Sequence, residues 1–441
     1  MSKKTSIIQF KKPYEIEHDY KVTHWDDYRP CEIFPIPIHT LTYQSQKIEI
    51  YHTDSLGFIN SQFAYRQASE MLYPIMPIYL KTIGFSIVLI GILEGVAEAT
   101  AGLSKGYFGK LSDTSGRRVP FVQIGYAFSA ISKPLMAIFT FPIWIFFSRT
   151  IDLLGKGIRT GARDAILSGE ATPETKGKVF GFHRSMDTLG AAIGPSLALL
   201  YLYFYPEDYK TLFFIAFIPG LLAVLSSFYL KEKKVKEPES KVKTPFFSFL
   251  NYWKESPSQY RKLVIGLLIF TLFNSSDVFL LLQAKQSGLD DTSVIGVYIF
   301  YNLIYALFAF PVGILADKVG LKNIFIAGLA LFALVYFGMS VNTNLYFFFA
   351  LFFLYAIYAS ATEGISKAWI SNITEKKDIA TAIGTFTGLQ SIFTMLASSF
   401  TGLIWFQFGA KTAFIMTGIA TLFVITYFLT VPKPKINESP Q

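Results

Sequence analysis

The sequence predicts an all-α polytopic membrane protein, with twelve transmembrane helices arranged as two pseudo-symmetric six-helix bundles. Three observations predict it. Of 441 residues, 52% are hydrophobic and only 16% charged, with 44 Phe, which is more apolar material than a soluble domain needs. Apolar segments of about 20 residues, long enough to cross a hydrocarbon core of about 30 Å, recur through most of the length. A loop of the first half returns in the second at a shift of 204 residues.

Residues 1–57 are polar and contain prolines, and they lack the short apolar core of a secretory signal. They are expected to remain as a cytoplasmic extension. Within them Ile36 to His52 alternates weakly, which fits a small hairpin as well as a poorly ordered tail. The amino-terminal bundle, 58–230, is expected to hold helices near 58–81, 86–105, 119–140, 142–164, 178–203 and 211–230. Residues 231–262, rich in Lys and Glu with Pro238 and Pro245, read as a cytoplasmic linker. Its stretch Phe246 to Trp253 is apolar enough to lie on the inner membrane surface. The carboxy-terminal bundle, 263–431, is expected to hold helices near 263–284, 292–315, 323–341, 344–370, 379–404 and 411–431, before a cytoplasmic tail at 432–441.

The net charge of +9 resides in the loops. Loops after helices 2, 4, 6, 8 and 10 are basic, and the others hold one Lys or none. This is the positive-inside pattern, not a nucleic-acid-binding stripe, and it puts both termini in the cytoplasm and the protein in the cell inner (plasma) membrane. The single cysteine, Cys31, excludes an internal disulfide and a thiolate metal cluster. No phosphate-binding loop, metal-ligand cluster or cofactor motif is present, and no nucleophile and base stand out, so neither an enzyme nor a cofactor is expected.

Charges at membrane depth single out the candidate site, because an ionisable group in hydrocarbon survives only when paired or facing a wet interior. In helix 1, Arg66 and Glu70 precede Pro74 and Pro77, which should bend the helix. Glu94 and Glu98 of helix 2 stack on one face, as a proton-binding pair or as partners of Lys133 or a nearby serine. In helix 4, Arg149, Asp152 and Lys156 can neutralise one another, Arg149 being deep enough to meet a substrate anion. Lys156, Arg159 and Arg163 lie nearer the cytoplasmic end, where snorkelling to the interface is the expectation. In helix 5, His183 and Asp187 share a face and Arg184 can reach Asp187; the trio suits proton relay or a structural network. The second half has Phe386, Thr387 and Gln390 at the matching places, so the charge is peculiar to the first half. There, Asp277 is isolated and must face another helix or a cavity, while Glu363 and Lys367 are spaced to pair with each other.

The repeated loop runs Gly109, Asp113, Gly116, Arg117, Arg118 in one copy and Gly313, Asp317, Gly320, Lys322 in the other. Its glycines permit close helix approach, and its aspartates can sit at a helix terminus and pair with a basic residue. A second motif lies in helix 5, where Gly181, Gly190, Gly194 and Pro195 follow a G-x8-G-x3-G-P spacing suited to tight packing and bending. On these motifs the chain, from about Phe58 to Val431, resembles the transporters of the major facilitator superfamily, and its segments Leu154 to Arg159 and Phe182 to Asp187 resemble a prokaryotic subgroup of unknown substrate.

The resemblance implies a secondary active transporter that moves a small solute by alternating access, working in the bilayer as an expected monomer. It assigns the loop motif to the inner gate, and places helix 1 along the central cavity. Protons are the expected coupling ion, through Glu70, Glu94, Glu98, His183, Asp187 and Asp277, with Arg66, Arg149 and Asp152 as substrate-binding candidates. The helix 5 spacing puts drug or metabolite antiport, export of a small organic compound, first. Uptake of an anionic metabolite or metal chelate by symport is the alternative. A transporter-like receptor or scaffold, using the amino-terminal extension as its binding module, is the alternative of another class.

Overall fold

A computed structural model describes residues 55–431 except 74, 232–244, 290 and 343. The hairpin expected at Ile36 to His52, the centre of the linker and the tail 432–441 lie outside the described residues. The first crossing is α1 (Ser55–Leu72) followed, after a break, by α2 (Met76–Thr82). Next come α3 (Ile87–Ser115), α4 (Val119–Ile138), α5 (Pro142–Gly169), α6 (Lys176–Phe204) and α7 (Tyr209–Ser227), which complete the first bundle. A 3-10 turn at Phe246–Asn251 and the single-turn α8 (Tyr252–Glu255) lead to α9 (Ser258–Phe273) and α10 (Val278–Gln286), which together form the seventh crossing. The second bundle continues with α11 (Asp291–Val319), α12 (Leu321–Val341), α13 (Leu345–Asn372) and α14 (Ile379–Thr430). Two crossings share α14, because Gly409 adopts φ 83° and turns the chain.

Among the described residues, eight of these helical spans are long and apolar enough to cross a membrane. With α14 counted twice they supply nine crossings, and the remaining three, α1 with α2, α3 and α5, are richer in charged residues than the others. Outward-facing positions such as Ile143, Phe147, Leu200, Phe406 and Phe423 are exposed, as a lipid-facing surface requires. The interior of the second half is aromatic: Phe332 stacks on Tyr336 at 4.2 Å and lies 4.7 Å from Tyr358.

Two elements differ from the pattern read in the sequence. The seventh helix, expected to be continuous from 263 to 284, breaks between Phe273 and Val278. Asn274, Ser275 and Ser276 have short polar side chains that compete for backbone hydrogen bonds. Here the Ser276 N–H donates to Ser398 Oγ at 3.2 Å instead of continuing the helix. The second helix runs past its expected end at 105 to Ser115, so the repeated loop is largely the last turns of α3. That helix stops at Gly116, φ 64°, a left-handed cap whose N–H reaches the Asp113 carbonyl. Gly320, φ 103°, makes the equivalent corner between α11 and α12.

The halves meet along two seams related by the repeat. At one, α3 lies so close to α14 that a β-carbon on Gly109 would stand 2.4 Å from the Ala380 carbonyl oxygen. At the other, a β-carbon on Gly313 of α11 would stand 2.3 Å from the Gly177 carbonyl oxygen of α6. Gly181 and Gly384 supply the facing small surfaces. The 3-10 turn spans the first seam, with Phe249 packed on Gly106, Lys110 Nζ donating to the Ser248 carbonyl at 2.9 Å, and Thr385 donating to the Phe249 carbonyl at 3.4 Å.

Candidate functional site

The end of the bundle bearing the basic loops, the basic end, is sealed by contacts between the halves. Asp113 accepts from the Thr381 N–H at 2.7 Å and from its hydroxyl at 2.9 Å, in the first turn of α14. Asp317 accepts from the Gly177 and Lys178 N–H groups, both at 2.7 Å, in the first turn of α6. A carboxylate there satisfies orphan N–H groups and the positive end of the helix dipole. Each half therefore caps a helix of the other. The two copies differ in their basic residues. Arg118 holds Asp113 at 2.8 Å and the Lys376 carbonyl at 2.9 Å, whereas Lys322 turns to the Leu429 and Val431 carbonyls of its own half. Arg117 is exposed.

One layer deeper, Asp164 of α5 is fully buried between Arg163, at 2.8 Å, and Lys367 of α13, at 2.7 Å. The helical spacing of Glu363 and Lys367 reads as a local pair, and the structure corrects it. Lys367 crosses the seam to the buried Asp164, while Glu363 binds Arg184 of α6. A buried carboxylate leaves a cation stronger reason to reach it than an exposed one on its own helix.

Above that layer the charges of α1 and α6 converge. Asp187 accepts from Gln62 Nε2, pairs with Arg184 at 2.9 Å, and lies 3.8 Å from Arg66 Nε. Arg66 also pairs with Glu70 at 3.1 Å, one turn along α1. Gln62 Oε1 accepts from Tyr126 at 3.0 Å and from Arg163 at 3.4 Å, which links this layer to the one below. Arg184 Nε donates to the Tyr305 hydroxyl of α11 at 2.7 Å. The two arginine side chains remain partly exposed, 27% for Arg66 and 26% for Arg184. His183 is buried beside Arg163, Asp164 and Asp187. Tight packing brings α1 and α6 together: a β-carbon on Gly194 would meet the Gln67 carbonyl at 2.7 Å, and one on Gly190 the Phe63 carbonyl at 3.0 Å. Pro195 lies within α6 beside them.

Arg149 and Asp152 belong to a separate cluster inside the first half. Asp152 takes Lys133 of α4 at 2.7 Å and Arg149 at 3.2 Å, and it is buried. Arg159 and Arg163, read as snorkelling residues, are instead buried. The Arg159 guanidinium lies 3.4 Å from the Tyr65 ring centroid and reaches Ser129 at 3.3 Å, while Arg163 is held by Asp164 and Gln62. Their partners sit inside the bundle, so the side chains turn inward. The side chains of Glu94 and Glu98 lie outside the described residues. Asp277, at the break in the seventh crossing, accepts from Tyr355 of α13 at 2.6 Å.

A family model described as Major Facilitator Superfamily matches residues 58–300 and 263–441. The chain belongs to the major facilitator superfamily. Among relatives of this transporter, an uncharacterized MFS-type transporter of Methanocaldococcus jannaschii is 31% identical over 382 residues, 84% of this chain and 94% of the relative. The staphyloferrin B transporter of Staphylococcus aureus is 24% identical over 393 residues, 84% and 91% of the two chains. The fold is also that of the superfamily transporter FucP in an outward conformation, at TM-score 0.72 and 12% identity, covering 87% of this chain and all 100% of that one. The human organic anion transporter MFSD10 matches at TM-score 0.68 and 15% identity, covering 85% and 99%. The chain is thus a superfamily transporter that moves small molecules across a lipid bilayer, and not an enzyme.

In this transporter, Arg66, Glu70, His183 and Asp187 gather in one layered cluster between the halves, while Arg149, Asp152 and Asp277 stand apart from it. Four members were not assigned from the sequence, Asp164 at the end of the expected fourth helix among them. Gln62 and Tyr305 are neutral polar residues in apolar helices and carry little signal; Glu363 was hidden by its spacing to Lys367.

Proposed function

We propose that this transporter carries a small organic anion together with protons, by alternating access between its two halves. One observation supports the cargo: Arg66 and Arg184 flank Asp187 between the halves, and each keeps about a quarter of its side chain open. A planar guanidinium with free donors is suited to a carboxylate. The positive-inside pattern supports a cytoplasmic location for the sealed basic end, and in that reading this conformation is closed on the cytoplasmic side of an inner or plasma membrane. Opening the cytoplasmic face requires the Asp113 and Asp317 caps and the Asp164–Lys367 pair to release. Symport of an anion with protons runs inward, and the likeness to a staphyloferrin B transporter is in keeping with an anionic metabolite or chelate as cargo.

A second reading, proton-coupled export, is favoured by the spacing of Gly181, Gly190, Gly194 and Pro195 in α6. Vesicles of defined polarity separate the two. A panel of labelled mono-, di- and tricarboxylates is offered under an imposed pH gradient. Accumulation driven by external acid supports symport, accumulation driven by internal acid supports antiport, and flux indifferent to the gradient rejects proton coupling. Flux of neutral or cationic compounds alone rejects the anionic cargo.

A further inference from the structure

We propose that Glu363 occupies, in the empty transporter, the place that a cargo carboxylate takes at Arg184, and that Glu363 carries the proton that travels with the cargo. The inference rests on the anionic cargo proposed above and names the group that couples it.

Arg184 binds both halves at the level of the open cluster. On its own half it holds Asp187; from the other half it receives Tyr305 of α11 and Glu363 of α13. These partners are not equivalent. Asp187 and Tyr305 are buried, and Asp187 is also engaged by Gln62 and Arg66. Glu363 is the open partner, with 41% of its side chain exposed. Lys367, a turn away on the same helix, is committed to Asp164. Of the three groups on Arg184, Glu363 is therefore the one an incoming carboxylate can displace without dismantling a buried network.

Charge balance gives the proton its role. Arg66, Arg163, Arg184 and Lys367 face Glu70, Asp164, Asp187 and Glu363, four cations against four carboxylates. A cargo anion added to this set leaves one negative charge in excess inside the membrane, which is costly. A proton taken from water by the displaced Glu363 restores the balance. No covalent bond other than that O–H forms, and the guanidinium exchanges one carboxylate for another. The charged and titratable groups around the Arg184–Glu363 pair are Asp187, Tyr305 and Arg66, which act on Arg184, and Asp164, Arg163, His183 and Lys367 of the adjoining layer. His183 is the rival proton carrier, so the test includes it. Displacement also removes an ion pair between the halves, which links proton uptake to opening of the basic end.

The test uses the full chain in lipid nanodiscs, with Cys31→Ser and spin labels on cysteines placed at the exposed Arg117 and Lys377. Pulsed dipolar spectroscopy reads the distance across the basic end between about pH 8 and about pH 5, bracketing ordinary carboxylate and histidine titration. The unsubstituted cluster is expected to gain a longer-distance population as pH falls. Glu363→Gln is expected to show it at every pH, raised roughly two- to fivefold at neutral pH, the worth of one partly exposed ion pair. Glu363→Asp should retain a pH response, and His183→Gln should titrate like the parent. A parent that ignores pH, a Glu363→Gln that still titrates, or loss of titration in His183→Gln overturns the inference. Vesicle flux lacking any pH dependence would instead reject the proposed function, so the two failures are distinguishable.

Discussion

Lys367 Nζ lies 2.7 Å from Asp164 Oδ2, joining the tenth crossing of one half to the fourth crossing of the other. Asp164 is fully buried and also binds Arg163, so the contact is a buried charge network and not a surface pair. Removing one partner leaves uncompensated charge. Asp164→Asn is expected to cost about 3 to 5 kcal/mol and to open the basic end to thiol reagents at introduced cysteines. Asp164→Asn combined with Lys367→Met should cost less than the sum of the two single changes in a double-mutant cycle. Additive costs would show that the pair does not hold the halves together.

The helix caps exchanged between the halves should be unequal. Asp113 caps α14 and also binds Arg118, whereas Asp317 caps α6 without a basic partner from its own motif. Asp317→Asn is expected to lose about 1 kcal/mol, the worth of a cap. Asp113→Asn should lose more, because it also removes the ion pair to Arg118. Thermal unfolding of the two variants in the same detergent gives the order; equal losses would contradict it.

Close helix approach at both seams makes Gly109→Ala and Gly313→Ala paired probes. Each added β-carbon meets a backbone carbonyl oxygen, at 2.4 Å and 2.3 Å, and no flexible side chain is available to yield. Each should cost about 1 to 3 kcal/mol of the sealed state, read as increased labelling of cysteines at the basic end. Unchanged labelling would mean that the seams have slack.

Arginines inside the membrane should divide by cluster. Arg149→Gln breaks a buried set with Lys133 and Asp152 and is expected to lower thermal stability while leaving KM for the cargo near that of the parent. Arg66→Gln, at the open cluster, should raise KM with a smaller loss of stability. A KM effect confined to Arg149 would move the cargo site into the first half.

Much of the fold was legible, because crossing length and a repeated loop survive in one dimension. Gly109, Asp113 and Gly116 recur at Gly313, Asp317 and Gly320, and the same residues make the two seams, caps and corners. Depth of charge was legible too: Arg66, Glu70, His183 and Asp187 do gather. Pairing across the seam was not, since it depends on how two helices are rotated against each other. The spacing of Glu363 to Lys367 satisfies a rule of the isolated helix, and the buried Asp164 overrides it. Arg159 and Arg163 read as interfacial because nothing in their own helix announces Tyr65 or Gln62 as partners. The break at Asn274 to Ser276 was visible as polar residues in an apolar helix, yet its consequence depends on Ser398, far along the chain.

The most direct test of the central claim is carboxylate flux into proteoliposomes of known orientation, with proton movement followed in the same vesicles. A carboxylate gradient is expected to drive protons in the same direction, and Arg184→Gln to abolish both flows in a protein that still folds. Carboxylate movement without protons, or undiminished coupled flow through Arg184→Gln, would contradict it.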